Sequence, residues 1–146
     1  MKKYIIVGIA WVLLSSCGKQ SGPRAAARQK PASDIKMSML TKGPQDSPFP
    51  EIGSTVLVHY TGWIAQSDDT PGRQIDSSIE RKKPLQFTIG LGQVIKGFEE
   101  AVKRMQVGQK CRVILPSELA YGEHGVGLFI PPNSRLIFDI EFVAMK

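Results

Sequence analysis

The sequence predicts an α+β domain, in which one amphipathic helix packs on the apolar face of a mostly antiparallel sheet. Several segments alternate apolar and polar residues, which is the pattern of half-buried strands, and one further segment repeats its apolar residues with helical spacing. A sheet with one apolar face needs a cover, and a single helix can provide it.

The strand-like segments share β-branched or aromatic side chains and a period of two; they are residues 37–41, 55–61, 85–89, 110–115 and 136–143. The last is the clearest, because every second residue from Leu136 to Phe142 is a large apolar one and is predicted to face the core. The first is the weakest of the five. Residues 63–74 contain the turn-like run from Asp68 to Gly72 and are predicted to be a surface insertion.

The helical segment covers residues 94–105, where apolar residues recur every three or four positions from Val94 to Met105. The predicted helix is about three turns long. Acidic residues 99 and 100 stand four positions before basic residues 103 and 104, an order that suits the helix dipole.

The N-terminus has the layout of a secretory signal peptide over residues 1–16, in which Lys2 and Lys3 precede an apolar stretch. That stretch, Tyr4 to Leu14, would span about 16 Å as a helix, whereas a bilayer core is roughly 30 Å thick. The sequence before Cys17 also resembles the bacterial lipobox, which predicts lipidation of Cys17. An ordinary signal peptide with an accidental cysteine, or an apolar N-terminus without export, remains the alternative.

Residues 17–36 are rich in Gly, Ser, Pro, Ala and basic residues and are predicted to form a flexible tether after the lipidated cysteine. The formal charge of the chain is +6, but residues 37–146 carry twelve basic and twelve acidic residues. The predicted domain, 37–146, therefore lacks the basic excess typical of nucleic-acid-binding domains, and no nucleic-acid partner is expected.

The remaining residue patterns favour no metal, cofactor or nucleophile. Two histidines and two cysteines are too few for the usual metal clusters. Cys111 lies in an alternating segment and is predicted to be a buried strand residue. His59, the pair Asp68 and Asp69, and the pair Glu99 and Glu100 are predicted to be solvated.

The chain instead resembles the FKBP-type peptidyl-prolyl isomerases through a series of motifs in family order. They cover essentially residues 40–146 and include VHYTG at 58–62, DSS at 76–78, GQVIKGFEE at 92–100, LAYG at 119–122 and IPP at 130–132. The resemblance implies a curved antiparallel sheet of about five to six strands wrapped on one short helix. It also implies acceleration of X–Pro bond rotation, without a cofactor, in exported protein clients.

The resemblance further implies an apolar pocket for the prolyl segment. Its expected residues are Tyr60, Ile75, Asp76, Arg81, Leu85, Phe87, Val94, Ile95, Phe98, Tyr121, Phe129, Ile130 and Phe138. Phe98 would form the floor, and Tyr60, Asp76 and Tyr121 would carry the catalytic contacts. The Tyr121 hydroxyl and the Ile95 N–H would donate to client carbonyls, while Tyr60 and Arg81 would orient Asp76.

Three positions depart from the usual family pattern. Ile75 stands where a Phe is usual, Phe98 where a Trp is usual, and Leu85 where a Phe is common. The isoleucine at position 75 keeps open a second interpretation, a catalytically weak proline-binding or chaperone module displayed on a membrane.

The expected partners are proline-containing polypeptides, a membrane reached through the lipid on Cys17, and a macrolide inhibitor. The chain is expected to be a monomer outside the cytoplasm, anchored to a bacterial outer membrane and facing the periplasm.

Overall fold

The computed structural model of the chain describes residues 35–146. The strands are β1 (Lys36–Thr41), β2 (Thr55–Ala65), β3 (Pro71–Ser77), β4 (Leu85–Thr88), β5 (Lys110–Leu115) and β6 (Leu136–Met145). The helix α1 is Lys96–Val102, and a 3-10 helix covers Ser117–Leu119. The predictions for the signal peptide, for Cys17 and for the tether up to residue 34 lie outside the described residues.

The six strands form one antiparallel sheet in the order β1-β5-β6-β2-β3, and β4 pairs with β2 beside β3. The predicted fold class is therefore confirmed. β2 is the longest strand, and it pairs with β6 along one edge and with β3 and β4 along the other. β2 is consequently an interior strand of the sheet, with partners along both of its edges.

The alternation in β6 places its residues as predicted, because each second side chain from Leu136 to Phe142 is fully buried. Ile137, on the opposite face, is fully buried as well. Trp63 and Ile114 are its neighbours on the adjoining strands, so three large apolar residues lie side by side on the outer face at this end of the sheet.

The strand β3 was not predicted from the sequence. Residues 63–74 were expected to be a surface insertion, whereas β2 continues to Ala65 and β3 begins at Pro71, with a turn between them. Asp69 occupies this turn with a φ of 63°. Backbone pairing with β2 defines the strand. The exposed polar side chains of Arg73 and Gln74 provide no apolar periodicity from which to predict it.

The first strand begins slightly earlier than expected. Ile35 is buried in the hydrophobic core, and Lys36 is the first residue of β1. These two residues of the predicted tether therefore lie with the folded domain.

The helix is shorter than the predicted 94–105, because both ends leave helical geometry. Ile95 has a ψ of 143° at the N-cap, which is extended backbone. At the other end, the N–H groups of Arg104 and Met105 donate to carbonyls three residues back, so the last turn is tightened. Met105 is nevertheless fully buried, so the apolar spacing in the sequence continues past the end of the helix.

The core lies between α1 and the facing side of the sheet, where Phe98, Ala101 and Val102 are buried. Cys111 is 3% exposed within this core, which confirms its predicted place in a strand. Burial raises the pKa of the Cys111 thiol. A neutral buried thiol is a packing residue rather than a nucleophile.

Candidate functional site

Four aromatic rings meet where α1 faces the sheet, and each comes from a different element. Tyr60 lies on β2, Phe87 on β4, Phe98 on α1 and Phe138 on β6. The Phe98 ring is the centre of the cluster, with centroids 5.5 Å from Tyr60, 6.0 Å from Phe87 and 5.3 Å from Phe138. All three contacts are edge-to-face, the arrangement that aromatic quadrupoles favour.

The space for this cluster depends on Gly62. Gly62 pairs with Phe138 across β2 and β6. A Cβ at position 62 would lie 2.6 Å from the Phe138 ring, which is closer than carbon atoms can approach. The absence of a side chain at Gly62 therefore lets the Phe138 ring lie against the sheet.

A polar group made of Tyr60, Asp76 and Arg81 adjoins the aromatic cluster. The Tyr60 hydroxyl donates a hydrogen bond to Asp76 Oδ2, and Arg81 Nη1 forms an ion pair with Asp76 Oδ1. Arg81 Nη2 also donates to the Tyr60 hydroxyl oxygen at 3.0 Å. The three side chains thus form a closed hydrogen-bonded ring, which we call the polar triad.

The carboxylate of Asp76 is the most enclosed charge of this triad, with 6% of its side chain exposed against 28% for Arg81. The N–H of Ser77 donates to Asp76 Oδ1 at 2.8 Å and further limits its rotation. The Arg81 guanidinium carbon also lies 5.7 Å from the centre of the Tyr60 ring. Asp76 is therefore held in one orientation beside the apolar rings.

Both tyrosines of the predicted site are neutral near physiological pH. Burial, followed by the hydrogen bond to Asp76, raises the pKa of Tyr60 well above its usual value. Burial raises the pKa of Tyr121, and the nearby Tyr60 and Asp76 raise it further.

Part of the predicted pocket is buried and part is accessible. The aromatic rings of the cluster and Ile130 are at most 3% exposed. The half-buried residues pack against the core from its margin; they are Ile75, Leu85, Val94, Ile95 and Tyr121. Phe129 is 44% exposed and is the most open of the predicted pocket residues. The rings thus form the buried part of the candidate site, and Phe129 with the half-buried residues forms its more exposed margin.

Ile95 is the last residue of the loop between β4 and α1 and forms the N-cap of the helix. Its carbonyl accepts from the N–H groups of Phe98 and Glu99, at 3.0 and 3.2 Å. Its own N–H takes part in none of the hydrogen bonds found within residues 35–146. This N–H is therefore available as a donor next to Phe98.

Several residues support this site although the sequence did not reveal them. Glu99 was predicted to be solvated, but it is 8% exposed and accepts from the Gly90 N–H at 2.9 Å. It ties the loop that leads to Ile95 onto the helix. Ser78 is fully buried and bonds the backbone of Tyr60 in both directions.

Two other predictions of solvated residues also need correction. His59 is half-buried, and its Nδ1 lies 3.1 Å from the Ser78 hydroxyl oxygen. Asp69 forms ion pairs with Lys36 and Arg135 at the tip of the β2–β3 hairpin. All three contacts join residues far apart in the chain, so local patterns did not indicate them.

Within residues 35–146, no group of three or more His, Cys, Asp or Glu side chains is placed to hold a metal ion. The helices of this same part are too short or too polar to span a bilayer.

Comparison with known proteins agrees with this geometry. A sequence model of the FKBP-type peptidyl-prolyl cis-trans isomerases matches residues 47–143. The chain belongs to this family. Peptidyl-prolyl cis-trans isomerisation is accordingly its enzymatic activity, and the resemblance stated from the motifs is confirmed at this level.

Similar proteins come from distant organisms. FK506-binding protein 1 of Saccharomyces cerevisiae is 39% identical, over 77% of this chain and 94% of its own. An FK506-binding protein of Neisseria meningitidis serogroup B is 45% identical, over 62% of this chain and 79% of its own. A crystal structure of a peptidyl-prolyl cis-trans isomerase from Pseudomonas syringae pv. tomato superposes with a TM-score of 0.66 at 35% identity, covering 79% of this chain and 77% of that one.

Proposed function

We propose that the aromatic cluster and the polar triad form the prolyl-binding and catalytic site of this FKBP-type isomerase, with exported polypeptides as its clients. The observation that carries the proposal is the closed hydrogen-bonded ring of Tyr60, Asp76 and Arg81 directly beside the buried ring of Phe98. Burying a carboxylate costs free energy, and here two further side chains are used to offset that cost. Such an arrangement favours a functional role for Asp76 over a purely structural one.

The chemistry requires no covalent intermediate. Resonance in the peptide bond creates a rotation barrier of ~18–20 kcal/mol, and the amide is less dipolar when it is twisted. An apolar site that excludes water therefore disfavours the planar ground state relative to the twisted transition state. Phe98 and the rings around it supply such surroundings for the prolyl ring.

Polar groups at the margin then define the orientation of the client. The Ile95 N–H and the neutral Tyr121 hydroxyl donate hydrogen bonds to client carbonyls on either side of the prolyl ring. Asp76, oriented by Tyr60 and Arg81, presents its carboxylate near the twisting amide. Ile75, Val94, Ile130 and Phe129 complete the apolar wall.

The three departures from the family pattern are compatible with this site. Phe98 makes edge-to-face contacts with three other rings, so the floor stays aromatic without an indole. Ile75 and Leu85 both pack against the core from the margin of the site. They replace aromatic area with aliphatic area and leave the polar triad unchanged.

A protease-coupled or refolding assay on an Ala-X-Pro client tests the proposal. Wild type should accelerate an isomerisation that otherwise takes tens to hundreds of seconds. Asp76→Asn should reduce kcat/KM by about tenfold or more, since each 1.36 kcal/mol of lost transition-state stabilisation is a factor of ten. Tyr121→Phe should also reduce kcat/KM, by removing one donated hydrogen bond.

Asp139→Asn is the matched control, because Asp139 is likewise a strand aspartate held by an arginine. Its oxygens accept from Arg112 at 2.7 and 2.8 Å. The control should lower stability and leave kcat/KM unchanged. Equal losses of activity in Asp76→Asn and Asp139→Asn, with both proteins folded, would remove the site assignment. Binding of a proline peptide without acceleration by wild type would favour the weak binding module instead.

We further propose that the chain is a lipid-anchored monomer outside the cytoplasm, held at a bacterial outer membrane through Cys17 and facing the periplasm. The proposal is supported by the signal-peptide layout of residues 1–16 and by the lipobox-like sequence before Cys17. A single acyl chain binds a membrane only reversibly, so stable anchoring through Cys17 requires that this residue carry more than one chain.

Metabolic labelling of the full chain with a clickable fatty acid tests the anchor. Wild type and Cys111→Ala should carry the label, whereas Cys17→Ala should not. Equal label in the two cysteine variants contradicts lipidation at Cys17. Fractionation of the cells distinguishes the outer membrane from the inner membrane, and light scattering of the purified domain tests the monomer.

The names of the relatives indicate a pocket ligand. Those of S. cerevisiae and N. meningitidis are called FK506-binding proteins. We propose that the same macrolide competes with proline peptides for the site of this chain. Isomerase activity that is unaffected by saturating macrolide contradicts this part of the proposal.

A further inference from the structure

The β2–β3 hairpin contacts the loop formed by residues 122–135, which we call the Phe129 loop. Arg73 Nη2 on β3 donates a hydrogen bond to the backbone carbonyl of Phe129. At the base of the same loop, Asp69 forms an ion pair with Arg135, and the Ala65 N–H donates to the Arg135 carbonyl at 2.9 Å. The hairpin therefore holds both the apex and the base of the loop.

The Phe129 loop is closed on itself by backbone hydrogen bonds. Val126 and Ile130 exchange N–H···O bonds of 2.8 and 3.2 Å, and the Asn133 N–H donates to the Gly122 carbonyl at 2.8 Å. Gly125, with a φ of 61°, has its α-carbon packed so closely that a Cβ would lie 2.1 Å from the Ile130 carbonyl oxygen. A loop with these internal restraints moves as a unit, so an external contact at Phe129 positions all of it.

We propose that Arg73 is a positioning residue, which sets the affinity of the pocket for the prolyl segment by holding Phe129 at its margin. This inference rests on the proposed function of the pocket. Phe129 is 44% exposed at the margin, whereas its neighbour Ile130 is 3% exposed in the core. The backbone of this pair is therefore held by the core at Ile130 and by Arg73 at the Phe129 carbonyl.

One strand thereby organises two sides of the site. Arg73 and Asp76 are both residues of β3, which pairs with β2 near Gly62 and Tyr60. Asp76 enters the polar triad, and Arg73 bonds the backbone of Phe129. The extended hairpin, which the sequence presents as a surface insertion, then becomes part of the binding site.

The kinetic consequence follows from the contact that Phe129 would make with the client. An apolar side chain at the margin touches the flanks of the client in the planar and in the twisted state alike. Loss of such uniform binding raises KM and leaves kcat unchanged. Because Arg73 is exposed and its bond is a single charge-assisted one, we expect Arg73→Gln to raise KM about three- to tenfold.

The test measures KM and kcat separately for wild type, Arg73→Gln, Arg73→Lys and Arg104→Gln on one proline peptide. Arg73→Lys should recover part of the affinity, since an ammonium can still donate to the carbonyl. Arg104→Gln, which removes an equal charge from an exposed residue after α1, should behave as wild type. A similar rise of KM in Arg104→Gln would assign the effect to charge and overturn the proposal.

A double-mutant cycle with Phe129→Ala separates a role through Phe129 from general loosening of the hairpin. In the Phe129→Ala protein, Arg73→Gln should cause little further change in KM. Additive effects, or an unchanged KM in Arg73→Gln while wild type is active, refute the positioning role. Inactive wild type would instead refute the proposed function, so the two failures are distinguishable.

Discussion

Removal of one hydroxyl from the polar triad, in Tyr60→Phe, tests how strongly the triad stabilises the domain. The ring of Tyr60 is 1% exposed and packs against Phe98 and Phe138, and phenylalanine preserves those contacts. Two hydrogen bonds are lost, one donated to Asp76 and one accepted from Arg81 at 3.0 Å.

The magnitude follows from the exposure of the two partners. A hydrogen bond to a charged group contributes about 1.5–3 kcal/mol, and an acceptor left buried without its partner costs a similar amount. Water can replace the partner of Arg81, which is 28% exposed, but reaches Asp76 poorly at 6% exposure. We therefore expect Tyr60→Phe to lower the free energy of unfolding by about 2 kcal/mol.

Thr61→Val provides the comparison, because it removes a hydroxyl from the next residue of β2 at nearly constant volume. The Thr61 hydroxyl lies 3.0 Å from that of Ser77, and this neutral pair should contribute only about 0.5–1.5 kcal/mol.

Urea denaturation measures both variants, and kcat/KM of Tyr60→Phe should fall as Asp76 loses its orientation. A smaller loss of stability in Tyr60→Phe than in Thr61→Val refutes the argument. In an Asp76→Asn background the cost of Tyr60→Phe should decrease, because the charge-assisted part of the bond is already absent.

Three further predictions concern packing, the loop before α1 and alkaline pH. Gly62→Ala should destabilise the domain by about 1–3 kcal/mol and reduce activity, because its Cβ would lie 2.6 Å from the Phe138 ring; unchanged urea midpoints contradict this packing. Glu99→Ala should speed amide exchange at Gly90 and raise KM, since it removes the acceptor of the 2.9 Å bond from the Gly90 N–H; exchange as slow as in wild type refutes the link. The folded-state pKa values of Tyr60 and Tyr121 lie above the ordinary value of 10.0, so the folded protein holds protons that the unfolded chain releases. The free energy of unfolding should therefore decrease as pH rises above 10, and stability that is constant from about pH 9 to 11 would contradict the raised pKa values.

The fold class and most strands were predictable because the polarity of each side chain indicates whether that residue is buried or exposed. The alternation in β6 and the β-branched run in β2 reflect burial on one face, a property that each residue carries in its own polarity. The hairpin strand β3 was not predicted, because its pairing is made by the backbone and its residues 73 and 74 are exposed and polar. The C-terminal end of α1 was predicted too late in the chain for a related reason. Met105 lies in a tightened turn after the helix but is as fully buried as a helix residue would be, so its polarity does not distinguish the two.

The residues of the candidate site were likewise predicted only in part. The motifs named the rings and Asp76, and the structure brings Tyr60, Asp76, Arg81 and Phe98 together as the resemblance implied. Residues that act at a distance in sequence were missed, such as Glu99, which was predicted to be solvated and instead holds Gly90. A single glutamate in an amphipathic segment gives no sign of which backbone N–H it will meet.

By itself, the sequence determined the α+β class and the family and supplied the residues of the candidate site, because these depend on residue types and their order along the chain. Only the tertiary structure decided that Arg73 meets Phe129 and that Asp69 meets Lys36 and Arg135. These contacts depend on where a twisted sheet places its hairpin relative to a loop more than fifty residues later, and that relation is a property of the whole packed domain rather than of any local segment.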